Sequence, residues 1–157
     1  MKERWSRWMQ RLSPPGYPVG RETGGVAVAA SVMVLIHLVQ FLFRMQEELR
    51  WLYDEMERLI PGAVMAPFSQ VTAGYIPAWG VLTLACLALG VVRYTYYYQG
   101  SRSIYLMRRL PDRWELWRRT LGWPLVLAVL LALLATVLLG AFRLGYLWTV
   151  PAEAMAE

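Results

Sequence analysis

Three long stretches without a charged side chain restrict the fold of this chain more than any other feature. They are residues 24–43, 75–92 and 123–142, and the first holds twenty residues. At a rise of about 1.5 Å per residue, a helix of that length covers the roughly 30 Å hydrocarbon core of a bilayer. The sequence therefore predicts an all-α integral membrane protein with three transmembrane helices.

Composition agrees with that class. The chain has 157 residues, 57% of them hydrophobic, and a mean hydropathy of +0.35, which is the mass of one domain with its apolar residues in blocks. The single cysteine, Cys86, excludes a disulfide framework and a cysteine metal site, so we interpret it as a packing residue. The chain has a net charge of +5, and its basic residues lie beside the apolar stretches. This placement favours membrane lipid or a partner surface over nucleic acid as the binding partner.

Residues 1–20 predict an interfacial elbow. Basic residues alternate with apolar ones at helical spacing, placing Trp5, Trp8, Met9 and Leu12 on one side and Arg4, Arg7 and Arg11 on the other. This pattern suits a helix lying among lipid headgroups, although a basic tail that only sets topology fits it as well. The prolines and glycine from Pro14 to Pro18 then end regular structure.

Residues 44–74 predict a second amphipathic segment. Apolar residues from Met45 to Ile60 form one stripe opposite four acids, and Pro61 and Gly62 end it. This helix either extends the first span or lies on the membrane surface. Residues 63–74 are expected to form an apolar loop at the interface or against a partner. Within the first span, His37 suggests either a proton relay or helix packing, and the lack of charged neighbours in the spans favours packing.

The insert between the second and third spans, residues 93–122, is strongly basic. Tyrosines after Val92 are typical of an interfacial belt. Ser103 predicts the cap of a short amphipathic helix from Ile104 to Leu110, which Pro111 ends. Asp112 followed by Glu115 predicts the start of another helix that leads into the third span.

Small residues recur every fourth position in the third span. They are Ala128, Ala132, Thr136 and Gly140. Such a row lets another helix approach closely, so we predict that this face packs against a helix of this chain or of another subunit. The tail, residues 143–157, is too short to carry a domain.

Basic residues predict the orientation. Lys and Arg number five in the first 23 residues and seven from Arg93 to Arg119, against three from Arg44 to Arg58 and one in the tail. The positive-inside rule then places the N terminus and the insert in the cytoplasm and the C terminus outside. We expect a multi-pass protein of a plasma membrane, such as a bacterial inner membrane.

No catalytic constellation is visible in the sequence. It has one histidine, no paired carboxylates in a span and no phosphate-binding glycine loop. We therefore predict that the chain is not an enzyme and holds no cofactor or metal.

The segment LPDRWEL at 110–116, together with the order of elements, resembles the cytoplasmic loop of export-type ABC transporter permeases. In that family the loop forms a coupling helix that docks on an ATPase, and an elbow helix precedes the first span. The resemblance implies docking by Ile104, Tyr105, Leu106, Met107, Arg108, Arg109, Leu110, Pro111, Arg113 and Glu115. Two features depart from the family: the Pro111 to Arg113 spacing is one residue shorter than usual, and such permeases generally have six spans.

The resemblance therefore implies a half-sized permease or an accessory membrane subunit. The resemblance implies an ABC ATPase and a second permease chain as partners. ATP-driven movement of the ATPase would then tilt the second and third spans. The alternative is a membrane scaffold or regulator without transport activity, whose Arg-rich insert holds anionic lipid.

Overall fold

The computed structural model describes residues 12–13, 17–53, 59–98 and 113–155. It contains helices α1 (Val19–Leu52), α2 (Phe68–Val71), α3 (Tyr75–Tyr98) and α4 (Arg113–Thr149), followed by a 3-10 turn at Ala152–Ala154. In these ranges the only strand-like pairing is an isolated antiparallel bridge between Tyr53 and Leu59. Helices α1, α3 and α4 are each long and apolar enough to cross a membrane. The predicted three-helix, all-α membrane class is confirmed at that level.

The long helices extend beyond the uncharged stretches that predicted them. α1 has 34 residues and α4 has 37, because charged residues at the ends of a span are good helix formers and do not end a helix. α3 continues to Tyr98 and α4 begins at Arg113, so helical structure extends into both ends of the predicted insert, residues 93–122. Residues 99–112 and 1–11, where the docking helix and most of the interfacial helix were predicted, lie outside the described residues.

The amphipathic helix predicted to reach Ile60 ends earlier. α1 stops at Leu52, whose carbonyl accepts a hydrogen bond from the Ile60 amide at 3.0 Å. That bond and the bridge between Tyr53 and Leu59 bring the two flanks of this segment together, which a continuous helix forbids. Gly62 then turns the chain with a φ of +82°, a conformation that favours glycine.

The chain forms two compact units. The first contains Met1–Ala30 and Gly80–Ala132, and the second contains Ser31–Trp79 and Leu133–Glu157. In the first unit, α1, α3 and α4 bury Cys86, Trp123, Leu127 and Leu131. Trp123 Nε1 donates to Thr23 Oγ1 at 3.0 Å, so a buried polar group of α4 is satisfied by α1.

The second unit has an aromatic core. Phe41 of α1 stacks on Phe142 of α4 with ring centroids 4.6 Å apart, and Tyr75 of α3 meets Phe142 edge-on. The loop at residues 63–74 packs on its own chain, and its position at the membrane interface or against a partner stays a prediction. The hydroxyl of Tyr146 donates to the Ala66 carbonyl at 2.9 Å, and the Met65 amide donates to Ala154.

Candidate functional site

Arg93 and Glu22 form a buried ion pair in the first unit. The Nε of Arg93 lies 3.0 Å from Oε2 of Glu22, and the two side chains are 0% and 6% exposed. Neither residue falls within the uncharged stretches 24–43 and 75–92. They are 71 positions apart, so no local sequence pattern connects them. Charged side chains are costly to bury unless they are paired and hydrogen-bonded, as these two are.

The guanidinium of Arg93 also holds the chain that precedes α1. Its Nη1 donates to the Leu12 carbonyl and to Ser13 Oγ, both at 3.3 Å. The ring of Tyr17 lies 5.0 Å from the guanidinium carbon, a cation–π distance. Arg93 therefore fastens the segment before α1, α1 itself and α3 to one another.

One hydrogen-bonding atom on each side of the pair has no partner within the described ranges. These are Nη2 of Arg93 and Oε1 of Glu22. Burial, and secondly the negative charge of Glu22, raise the pKa of the Tyr17 phenol. The phenol is therefore neutral at physiological pH, and the only charges in this part of the described site are those of the ion pair.

A cleft in the second unit brings polar groups together at the end of the first uncharged stretch. We call it the Arg44 cleft; its interior has a volume of about 10 Å³, room for about one water molecule. Its lining includes the following residues: His37, Gln40, Arg44, Thr72, Tyr75 and Phe142. In the sequence analysis only His37 was singled out, although spacings of three and four place His37, Gln40 and Arg44 on one helix face.

Arg44 is fixed by the loop that follows α2. Its Nη1 donates to the carbonyl oxygens of Gln70, Val71 and Ala73 at 3.0, 3.3 and 3.4 Å. No ion pair of Arg44 occurs in the part of the chain that the structure describes. Glu48, one turn further along α1, accepts a hydrogen bond from the Ala66 amide at 3.4 Å. Arg44 thus keeps a net positive charge at the cleft.

His37 is packed among uncharged groups. Its Nδ1 lies 2.8 Å from the Met33 carbonyl, and its ring meets Tyr75 edge-on at 4.9 Å. A carbonyl accepts and never donates, so Nδ1 carries the ring proton in that bond. No acid lines the cleft, which favours the packing interpretation over a proton relay. Across residues 12–13, 17–53, 59–98 and 113–155, no group of three or more potential metal ligands occurs.

Most of the predicted packing face of α4 is exposed in this chain. Ala128 is buried, but Ala132, Thr136 and Gly140 are exposed. Residues four apart on a helix are rotated by about 40° from one another, so the row drifts away from the buried face. The face buried in this chain contains Leu131 and Phe142, which are eleven residues apart and about three turns of helix. Packing of the small residues on another chain stays a prediction.

Of the predicted docking residues, the structure includes only two. Arg113 and Glu115 lie in the first turn of α4, while those from Ile104 to Pro111 fall in the range 99–112 that is not described. No protein-family model, curated protein or solved structure matches this chain. The likeness to export-type permeases therefore rests on the LPDRWEL segment and the order of elements.

Proposed function

We propose that this chain is a membrane subunit of an ABC-type exporter, in which the insert between α3 and α4 docks on a partner ATPase. We infer an ATPase as the partner because the segment LPDRWEL resembles the cytoplasmic loop of this family. The geometry that best supports a coupling role is the attachment of Arg93, which lies five residues before the end of α3. Force applied to the insert reaches an element that is already fastened to α1 and to the segment before it.

α4 is the second helix that is connected to the insert. It is one helix of 37 residues from Arg113 to Thr149, about 55 Å long, which exceeds the roughly 40–45 Å thickness of a bilayer with its headgroups. Pro124 lies inside it without ending it. A displacement of the insert is therefore passed along a continuous helix, and in this proposal the tilt of α3 and α4 is the mechanical output.

The orientation belongs to the same proposal. The basic residues before α1 and around the insert place both on the cytoplasmic side of a plasma membrane, where an ATPase has access to ATP. Arg44 and the tail then lie on the opposite side.

Two double variants in the insert test the proposed docking. Replacing Leu106 and Leu110 with Ser removes two apolar side chains whose burial contributes about 1.5 to 3 kcal/mol each. Replacing Arg108 and Arg109 with Gln removes charges, which add little when they remain at an exposed rim. We expect the Ser variant to release the ATPase during co-purification in mild detergent, and the Gln variant to weaken it less and mainly at high salt.

A membrane scaffold that holds anionic lipid is the second candidate. The start of α4 favours this function. Trp114 is 78% exposed there, and Arg118 is exposed one turn further on. An exposed tryptophan beside an exposed arginine is typical of a segment that contacts lipid headgroups. This function predicts the reverse order in the same experiment. The Arg changes would then dominate membrane or vesicle binding, and no ATPase would accompany the wild-type chain.

A further inference from the structure

Described residues that precede α1 contact both helices that flank the insert. We call Leu12, Ser13 and Tyr17 the strap. On α3, Arg93 donates from Nη1 to the Leu12 carbonyl and to Ser13 Oγ, both at 3.3 Å. The Tyr17 ring meets Tyr96 of the same helix edge-on, with ring centroids 5.2 Å apart. The strap is therefore attached to α3 by hydrogen bonds from a charged group and by ring contacts.

The contact of the strap with α4 is different in kind. A Cβ built on Gly122 would lie 3.2 Å from Cδ2 of Leu12, so the leucine fits closely against the helix where the helix has no side chain. Such a contact is apolar packing without charge, whereas the bonds from Arg93 are charge-assisted. Of these two attachments, the one to α4 is the weaker.

The strap reaches α4 next to a site where this helix bends easily. Pro124 lies inside α4, two residues after Gly122. Proline has no amide hydrogen, so the helical bond from position 124 to the Thr120 carbonyl cannot form, and Gly122 in the same turn is a weak helix former. Sharp bends in helices occur at such prolines. The first turns of α4, which follow the insert, are thus joined to the rest of the helix by a hinge.

The turns before this hinge also contact α3 directly. Leu121 lies over Gly90, where a Cβ would be 2.5 Å from Cδ2 of the leucine. The rings of Trp117 and Tyr94 stack with centroids 6.3 Å apart, and both side chains are partly exposed. At the hinge itself, Trp123 is buried and hydrogen-bonded to α1, which fixes the pivot. The strap adds a contact from outside both helices, one residue further along α4 than Leu121.

We propose that the strap braces the hinge of α4. While Leu12 lies against Gly122, α4 passes a displacement of the insert along its whole length. When Leu12 leaves, the turns before Pro124 bend away from α3. The strap then stays on α3, because Arg93 holds it there. This inference deepens the proposed function and rests on it for its role, since it concerns how movement of the insert is transmitted.

Distances between spin labels measure the bend in the purified full-length chain in lipid nanodiscs. With the native cysteine Cys86 replaced by Ala, one label pair joins Thr95→Cys of α3 to Arg118→Cys before the hinge. A second pair joins Thr95→Cys to Val129→Cys beyond it; all three positions are exposed. Leu12→Ala is expected to raise the fraction of molecules with a longer distance between positions 95 and 118 about tenfold, the scale of one lost half-buried apolar contact. The distance between positions 95 and 129 should not change.

Pro124→Ala separates a hinge from general loosening, because alanine restores the amide hydrogen and removes the bend. In the double variant Leu12→Ala/Pro124→Ala, the distance between positions 95 and 118 should return to that of the wild type. Leu125→Ala is the matched control, since this leucine of α4 is 49% exposed, and it should behave as the wild type does. The proposal is overturned if Leu12→Ala leaves the distance unchanged, if Leu125→Ala lengthens it as much, or if the longer distance persists in the double variant.

Hydrogen exchange provides the second measurement if Pro124→Ala fails to fold. Faster exchange in Leu12→Ala that is confined to residues 113–122 supports the brace, and an equal rise in α3 overturns it. The brace and the docking on an ATPase fail separately. Absence of an ATPase from the purified wild type removes the docking and leaves the label distances as they are, whereas unchanged distances in Leu12→Ala remove the brace and leave the docking as it is.

Discussion

Arg93 illustrates how one side chain organises the first unit. It bonds to Glu22 of α1, to the backbone and hydroxyl of residues 12 and 13, and to the face of Tyr17. Because it is fully buried, each of these contacts replaces water that the guanidinium has lost. Removing one partner therefore does more harm than the net worth of the pair suggests.

At the residue scale we predict strong coupling between Glu22 and Arg93. Glu22→Gln or Arg93→Gln alone leaves an uncompensated buried charge and should lower the free energy of unfolding by about 3–5 kcal/mol. The double variant removes both charges and should recover much of that loss. Denaturant titration of the purified chain in detergent measures all three. A double variant as unstable as the sum of the single ones would show that the charges are not coupled.

The helices α3 and α4 approach each other closely at Gly90, a residue without a side chain. Gly90 is buried, and a Cβ built on it would lie 2.5 Å from Cδ2 of Leu121. Gly140, in the small-residue row of α4, is exposed, and a Cβ there meets nothing within 4 Å. Two glycines in long helices thus have opposite surroundings in this chain.

At the element scale we predict opposite effects of the same substitution. Gly90→Ala should destabilise the chain by about 1–3 kcal/mol through overpacking, reduced to the extent that Leu121 can change rotamer. Gly140→Ala should be neutral or stabilising by up to about 1 kcal/mol, because alanine is the better helix former. Thermal unfolding in detergent compares them, and cross-linking monitors self-association. Loss of an oligomer in Gly140→Ala alone would assign the small-residue row to contact with another chain.

For the whole molecule, the membrane orientation is the property on which the proposed function depends. An ATPase can reach the insert only if the insert faces the cytoplasm. In the predicted orientation the segment that follows the first span, residues 44–74, faces the other side of the membrane. The proposed docking therefore rests on topology as well as on side-chain chemistry.

We predict that residue 55 faces outward and residue 102 faces the cytoplasm. In a background in which the buried native Cys86 is replaced by Ala, Glu55→Cys should react with an impermeant maleimide in intact cells. Arg102→Cys should react only after the membrane is permeabilised, because the basic flanks are retained inside. The opposite labelling pattern would reverse the topology and remove the ATPase from reach of the insert.

The number and order of the long apolar helices among the described residues followed from the sequence by itself, because length and absence of charge are local properties that decide whether a helix can cross a bilayer. α3 even begins at Tyr75, the residue at which its span was predicted to start. The elbow and the docking helix stay predictions. Only the tertiary structure showed which residues meet: Glu22 with Arg93, Arg44 with the loop after α2, and Leu131 and Phe142 rather than Gly140 on the buried face of α4. Those pairings depend on how each helix is rotated about its axis and on its register against its neighbours, and the spacing of residues along one helix does not determine either quantity.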